Sequence, residues 1–195
     1  MILSASFYAR PADRVARDLL GCVLVCRRGG ARCSGRIVEA EGYLSDGDPA
    51  CHACRGRTER NAPMFGPPGT AYVYFTYGMH WLLNAVCNAE GVAEAVLIRA
   101  LEPVDGIETM RRRRPNVSDV DLCRGPARLV RALGIESPDN RRDLTARRVL
   151  WIEQGGPLGD DDVIAAPRVG VGDDARRLRF CVRRSRYVSR PAPRG

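Results

Sequence analysis

The chain contains no lysine: all 31 of its basic residues are arginine. A GC-rich genome replaces lysine codons by arginine codons, which accounts for the choice of basic residue but not for the net charge of +8. No apolar run reaches the roughly 18–20 residues of a membrane span, so no membrane partner is expected. The opening stretch from Met1 to Pro11 lacks a basic n-region and a long apolar h-region, so no export signal is read there. Internal repeats and composition shifts are missing too. The expectation is one cytoplasmic domain, since 195 residues suffice for one proper core and hardly for two.

Cysteine is not scarce, but its spacing is uninformative. The eight cysteines include no run of four close together, as an iron–sulfur cluster needs. Cys51-His52-Ala53-Cys54 has the spacing of a zinc half-site or redox pair, yet no second tight pair exists to close it. The cysteines are therefore read as small buried thiols kept reduced. Neither a metal nor another cofactor is expected. A metal-dependent redox or hydrolytic enzyme built on Cys51, His52 and Cys54 stays open as an alternative.

What is present points to a basic globular domain. The apolar fraction of 45% is ordinary for a packed chain. A positive excess on a domain of this size fits a polyanionic partner, most commonly nucleic acid. Arg111 to Arg114 forms a cationic run, read as a solvated helix end with phosphate contact as the alternative.

Helices are expected over Pro11–Leu20, Ile107–Arg114 and Pro126–Leu133, the first and last stopped by Gly21 and Gly134. Strands are expected at Cys22–Cys26, Arg36–Glu41, Thr70–Thr76, Trp81–Cys87, Ala95–Ala100 and Leu178–Arg186. Tyr77-Gly78 reads as the turn of a hairpin. Gly42 to Gly69 lacks periodicity, and irregular loops of that length are usually functional. Hairpins without regular strand–helix alternation predict an α+β domain on an antiparallel sheet. The domain is expected over 1–189, with 190–195 as a frayed tail.

Glu41 ends an apolar strand and is followed by Gly42 and Tyr43. Such a carboxylate, half withdrawn from water, has a raised pKa and can take a proton from water. A plain salt bridge to one of the arginines is the simpler reading. Glu39, on the same strand face, is its rival for either role. Tyr43, Tyr72, Tyr74 and Tyr77 make four of the six tyrosines. They are either core and hairpin packing or stacking faces for a nucleobase, with Tyr77 at the turn tip as a wedge.

Several segments resemble the alkyladenine (3-methyladenine) DNA glycosylases in order and spacing. They are Gly35–Leu44, His52 with Arg57–Asn61, Met64-Phe65, Pro68–Met79, Asn84, Leu97–Pro103, Leu122–Ala127, Arg142–Leu144 and Pro167–Gly172. The match runs from about Phe7 to Ser189. It implies a monofunctional glycosylase that flips damaged purines out of double-stranded DNA, hydrolyses the N-glycosidic bond and leaves an abasic site. It further implies a curved antiparallel sheet with surrounding helices and a hairpin that inserts into DNA.

By the same resemblance, Glu41 would activate the attacking water, which Arg99 and the carbonyl of Val169 help to hold. Tyr43, His52 and Tyr74 would line the base pocket, and Asn84 would crowd the exocyclic amine of normal guanine. Tyr77 would be the wedge, with Met64, Met79 and Gly170 against DNA. The enzyme would act as a monomer in the cytoplasm, on the nucleoid during repair. Gly42 stands where the family usually has alanine, which would loosen the pocket floor. A non-catalytic, basic nucleic-acid-binding domain is the alternative, since it shares the charge and the tyrosines but has no need of Glu41.

Overall fold

A computed structural model describes residues 1–156, 158–172 and 174–191, so residues 192–195 of the expected tail lie outside it. Two short helices, α1 (Ala5–Tyr8) and α2 (Ala12–Asp18), come first. Pro11 precedes the first helical residue of α2, and Asp13 and Arg17 match its dipole at either end. Gly21, at φ 83°, turns the chain into β1 (Val23–Arg28). Next comes β2, which runs over Ala31–Tyr43 and so begins well before the expected Arg36. The hairpin strands β3 (Ala71–Thr76) and β4 (His80–Cys87) follow, then β5 (Glu94–Asp105). Helices α3 (Ile107–Arg113) and α4 (Pro126–Leu133) precede the short strands β6 (Leu150–Glu153), β7 (Val163–Ala166) and β8 (Arg179–Val182).

All pairings are antiparallel, and the sheet has eight strands in the order β3-β4-β5-β2-β1-β6, with β8 joining β2 and β7 joining β8. This is the expected α+β class, with the sheet curled into a half-barrel. The first half of β2 pairs with β1 and its second half with β8, while β5 follows its other edge from Ser34 to Tyr43. That double duty bends the strand. The bend is visible as shifts of register, where Ile37 faces Leu101, Glu39 faces Ala100 and Ala40 faces Ile98. Val38 is thus an extra residue of β2 and Arg99 an extra residue of β5. Such bulges raise the local twist and re-aim side chains. Here the bulge turns Arg99 toward the β2 carboxylates.

The helices cover one face of the sheet. From α2, Val15 and Ala16 are buried, together with the following Leu19, and from α4 Leu129, Val130, Ala132 and Leu133. Each fully buried Leu or Val contributes roughly 1.5–3 kcal/mol. Gly134, at φ 72°, ends α4 in the left-handed conformation that a glycine takes most cheaply. A smaller cluster of Cys51, Met64, Tyr72, Val86, Ala93 and Ala95 lies apart from the main core, with Tyr43 and Tyr74 packed against it. The segment between β2 and β3 is irregular except for one 3-10 turn at Ala62–Phe65. Buried Asn61 ties it together, accepting from Thr58 N (2.6 Å) and donating to His52 O and Gly56 O (both 2.9 Å). No helix among the described residues is long and apolar enough to cross a membrane.

Candidate active site

Glu41 has no exposed side-chain surface. Its Oε2 accepts from Arg99 Nη1 at 3.1 Å and from the Tyr43 hydroxyl at 3.0 Å, and its Oε1 accepts from the backbone N–H of Val169 at 2.7 Å. Burial raises the pKa of Glu41 and outweighs the opposing pull of Arg99 and the Val169 and Tyr43 hydrogen bonds. Arg99 remains a cation: burial alone would lower its pKa, but Glu41 and Glu39 raise it overall. A carboxylate offers about four lone-pair sites, and these donors take three of them. The remaining acceptor position is on Oε1.

Glu39 is equally buried, and the structure gives it a different role from its rival. It accepts from Arg99 Nε (3.2 Å), Arg179 Nη1 (3.0 Å), and both the N–H (2.5 Å) and hydroxyl (2.9 Å) of Ser189. Three of these donors converge on Oε1 and the Ser189 N–H takes Oε2, so Glu39 is held by four protein donors where Glu41 is held by three. Two buried carboxylates, Glu39 and Glu41, are balanced by two buried guanidiniums, Arg99 and Arg179.

The three partners of Glu41, Tyr43, Arg99 and Val169, line a cavity of about 490 Å³ together with His52, Tyr74 and Asn84, among others, and Glu41 itself lies behind them. Tyr72 and Tyr74 stack with centroids 5.2 Å apart, and His52 meets Tyr74 edge-on at 4.5 Å. Nδ1 of His52 and the Tyr72 hydroxyl share a hydrogen bond of 3.0 Å. Burial, then Arg60, lowers the pKa of His52, so the imidazole is neutral at neutral pH. Burial pushes the Tyr72 and Tyr74 phenols up to about 12. Asn84, paired with Tyr72 across the hairpin, is 5% exposed and donates to Tyr72 O at 3.2 Å.

The hairpin turn projects from the cavity rim. Tyr77 is 87% and Met79 69% exposed, and Tyr77 (φ 51°) and Gly78 (φ 66°) both have the positive φ of a type I′ turn. Gly170, at φ 77°, lines the cavity beside Val169. Met64 departs from expectation, because it is 2% exposed and lines the cavity floor within the smaller apolar cluster. Its surface is available to a molecule inside the cavity and not to a duplex outside it. Val169 meets Glu41 through its N–H and not through its carbonyl.

The cysteine-rich loop does not converge. Cys51 is buried and turns its thiol to Ala93 O, Cys54 is exposed, and His52 is engaged by Tyr72. No group of three or more His, Cys, Asp or Glu among the described residues is arranged to hold a metal. Missing from the sequence reading are Arg179, Ser189 and Arg168, which braces Tyr43 from behind. Arg168 lies inside the Pro167–Gly172 motif, and that was the one available signal.

Two comparisons bear on this arrangement. The family model described as methylpurine-DNA glycosylase (MPG) matches residues 6–186. The chain belongs to this family. The methylpurine-DNA glycosylases are hydrolases of N-glycosyl bonds, and the chain is an enzyme of that class. Three relatives carry the provisional name 3-methyladenine DNA glycosylase. One from Carboxydothermus hydrogenoformans is 48% identical over 192 residues, covering 97% of this chain and 100% of the relative. One from Burkholderia cenocepacia is 49% identical over 197 residues, covering 99% and 93%. One from Myxococcus xanthus is 46% identical over 197 residues, covering 99% and 96%. The family's substrate is DNA, which agrees with the basic charge of the chain.

Proposed function

We propose that this glycosylase extrudes alkylated or otherwise damaged purines from duplex DNA into the tyrosine-lined cavity and cuts the N-glycosidic bond with a water activated by Glu41. The abasic site is the product. The observation that carries this reading is the buried carboxylate of Glu41, whose three donors Arg99, Tyr43 and Val169 all line the aromatic cavity, with one acceptor position left on Oε1. A carboxylate of raised pKa beside a reacting carbon suits general-base catalysis at neutral pH.

The physics of each step fits a named group. A base inside a duplex hides its glycosidic bond, and a weakly paired lesion costs least to extrude. Tyr77, exposed at the hairpin tip, would fill the gap in the stack. The flipped base would lie among Tyr43, His52 and Tyr74, whose electron-rich tyrosine faces favour an alkylated, cationic purine. Positive charge on the purine also makes it a better leaving group. As the base departs, C1′ becomes oxocarbenium-like, and the Glu41 carboxylate stabilises it while taking the proton of the water. Neutral His52 could donate a hydrogen bond to a neutral lesion's leaving group. Asn84, fixed by Tyr72, would stand against the exocyclic amine of an undamaged guanine.

The protein is proposed to work as a monomer in the cytoplasm, on nucleoid DNA. The test is base release from duplex oligonucleotides carrying single lesions, by the wild type and by Glu41→Gln. Release that Glu41→Gln abolishes, with DNA binding retained, supports the reading. Binding without release from any lesion would favour a non-catalytic DNA-binding domain.

A further inference from the structure

Arg99, Pro126 and Val169 line the aromatic cavity on one side and a second cavity of about 620 Å³ on the other. The second cavity is lined in part by the returning C-terminal segment, including Ser189 and Arg190. Three successive residues of that segment are tied down. Val188 O accepts from Arg124 Nε (2.9 Å), Ser189 bonds Glu39 and Arg99, and Arg190 O accepts from Arg179 Nη1 (3.1 Å). The end of the expected domain and Arg190, the first residue of the expected tail, are therefore held beside Arg99.

Ser189 contributes more than a tether. Its N–H donates to Glu39 Oε2 at 2.5 Å, its hydroxyl donates to Glu39 Oε1 at 2.9 Å, and the same oxygen accepts from Arg99 Nη2 at 3.3 Å. The three nitrogens of Arg99 thus end on three residues of two segments: Nε on Glu39 and Nη1 on Glu41, both of β2, and Nη2 on Ser189 of the C-terminal segment. A planar guanidinium has its third direction set once two are fixed. We infer that Ser189 is a positioning residue of base release, its hydroxyl bridging Glu39 to Arg99 Nη2 so that Nη1 is aimed at Glu41. Ser189 acts through Arg99 and touches no substrate. The inference rests on Glu41 being the base.

The charged and titratable groups facing Glu41 are few. Among the described residues they are Glu39 and Tyr43 on β2, Tyr74 on β3, Arg99 on β5, and Cys181 and Arg179 on β8, with the Val169 amide beside Oε1. Arg99 is the cation in direct contact, so loosening it weakens the main force that keeps Glu41 ionised against burial. The acid limb of the rate profile then moves to higher pH.

Substitution by alanine isolates the hydroxyl, because the backbone bond from Ser189 to Glu39 survives. The experiment is single-turnover release of 7-methylguanine from a duplex across pH, for wild type, Ser189→Ala, Ser189→Thr and Glu41→Gln. DNA affinity and thermal midpoint are measured in parallel. The lesion already carries positive charge, so its departure needs no proton and the acid limb reports the base. Ser189→Ala should slow release at saturation on the order of tenfold and move the acid limb upward, with affinity and midpoint near wild type. Ser189→Thr, which keeps a hydroxyl, should restore both. A wild-type rate and limb in Ser189→Ala, with Glu41→Gln inactive, would overturn the inference while leaving the base assignment intact. So would a lowered midpoint with an unmoved limb, the mark of a merely structural serine. Full release by Glu41→Gln would instead remove the base assignment, and this inference with it.

Discussion

The guanidinium of Arg168 lies 4.7 Å from the centre of the Tyr43 ring, on a side chain that is 1% exposed. All five of its N–H donors are used: two on Asp48, two on Asp174 and one on Gly42 O. One side chain thereby fixes the pocket tyrosine, the end of β2 and the start of the loop that carries Val169. Because both carboxylates are themselves buried, removing the cation would strand two negative charges. Arg168→Met should cost about 3–5 kcal/mol, the loss typical of breaking a buried ion pair from one side. Arg168→Lys should recover little, as an ammonium has three donors and no planar fork. Urea unfolding at neutral pH measures both. A loss within about 0.5 kcal/mol, as for an ordinary surface substitution, would show that the clamp is not what holds these segments.

The same cluster sets a pH dependence of stability. Burial works against ionisation of Asp48 and Asp174, but the Arg168 hydrogen bonds and charge outweigh it and hold both below the ordinary aspartate value. A lowered folded-state pKa gives stability that is complete above the unfolded value of about 3.9 and lost as pH falls through the folded one. Wild type should therefore lose this contribution only on acidification below about pH 4, where Arg168→Met has little left to lose. Equal acid slopes in the two proteins would assign the effect to other carboxylates.

For catalysis the sign is opposite. Burial raises Glu41 above the ordinary glutamate value, and the carboxylate must be ionised to act as a base. Release of a cationic lesion should fall off on the acid side at a pH above about 4.3, the unperturbed glutamate pKa. Burial's lowering of His52 predicts that this residue adds no further step to the profile on the alkaline side of neutrality. The profile of single-turnover rate against pH decides both, and an acid limb at or below about 4.3 would contradict a desolvated base.

Tyr77 pairs two unfavourable features, 87% exposure and a φ of 51°. A large aromatic gains nothing from packing there, and the left-handed conformation costs roughly 1–2 kcal/mol for a residue with a Cβ. Tyr77→Gly should relieve part of that cost and raise stability by up to about 1 kcal/mol. The same substitution, and Tyr77→Ala, should impair excision from duplex DNA far more than from single strands, which need no wedge. Equal losses on both substrates would refute the wedge. Stability unchanged or lowered in Tyr77→Gly would refute the strain.

Much of this was legible in the chain, for identifiable reasons. Glu41 and Glu39 sharing a face follows from strand alternation, and the Tyr72–Tyr74 stack and the Tyr77 turn follow from the hairpin pattern. The convergence of Arg99 on the carboxylates was reached only through the resemblance, because it depends on two compensating bulges that alternation cannot reveal. The strands Leu150–Glu153 and Val163–Ala166 are too short for a periodic signal to stand out. Leu178–Arg186 shrinks to Arg179–Val182, since Arg184 at φ 61° sits in a turn. Ser189, at the very end of the expected domain, carries no local signal because its partners Glu39 and Arg99 lie 150 and 90 residues away in sequence. The Val169 N–H meets Glu41 from 128 residues away as a main-chain group, which no side-chain pattern reveals.

Gly42 shows where a sensible expectation from bulk alone goes astray. Its missing side chain does not face the cavity. A Cβ there would meet the backbone of α2, 3.1 Å from Ala12 O and 3.2 Å from Asp13 N. The start of α2 is itself pinned, as Ala12 N donates to buried Glu94 at 2.8 Å. Gly42→Ala should thus leave the ranking of lesions unchanged. Its effect on stability should be small, because the roughly 0.4–1 kcal/mol gained by restricting the unfolded chain is set against a contact slightly too close. Relative release rates for methylated, deaminated and etheno purines, compared between wild type and Gly42→Ala, test the point. An altered ranking would mean that α2 shifts far enough to move Tyr43, and would return Gly42 to the pocket.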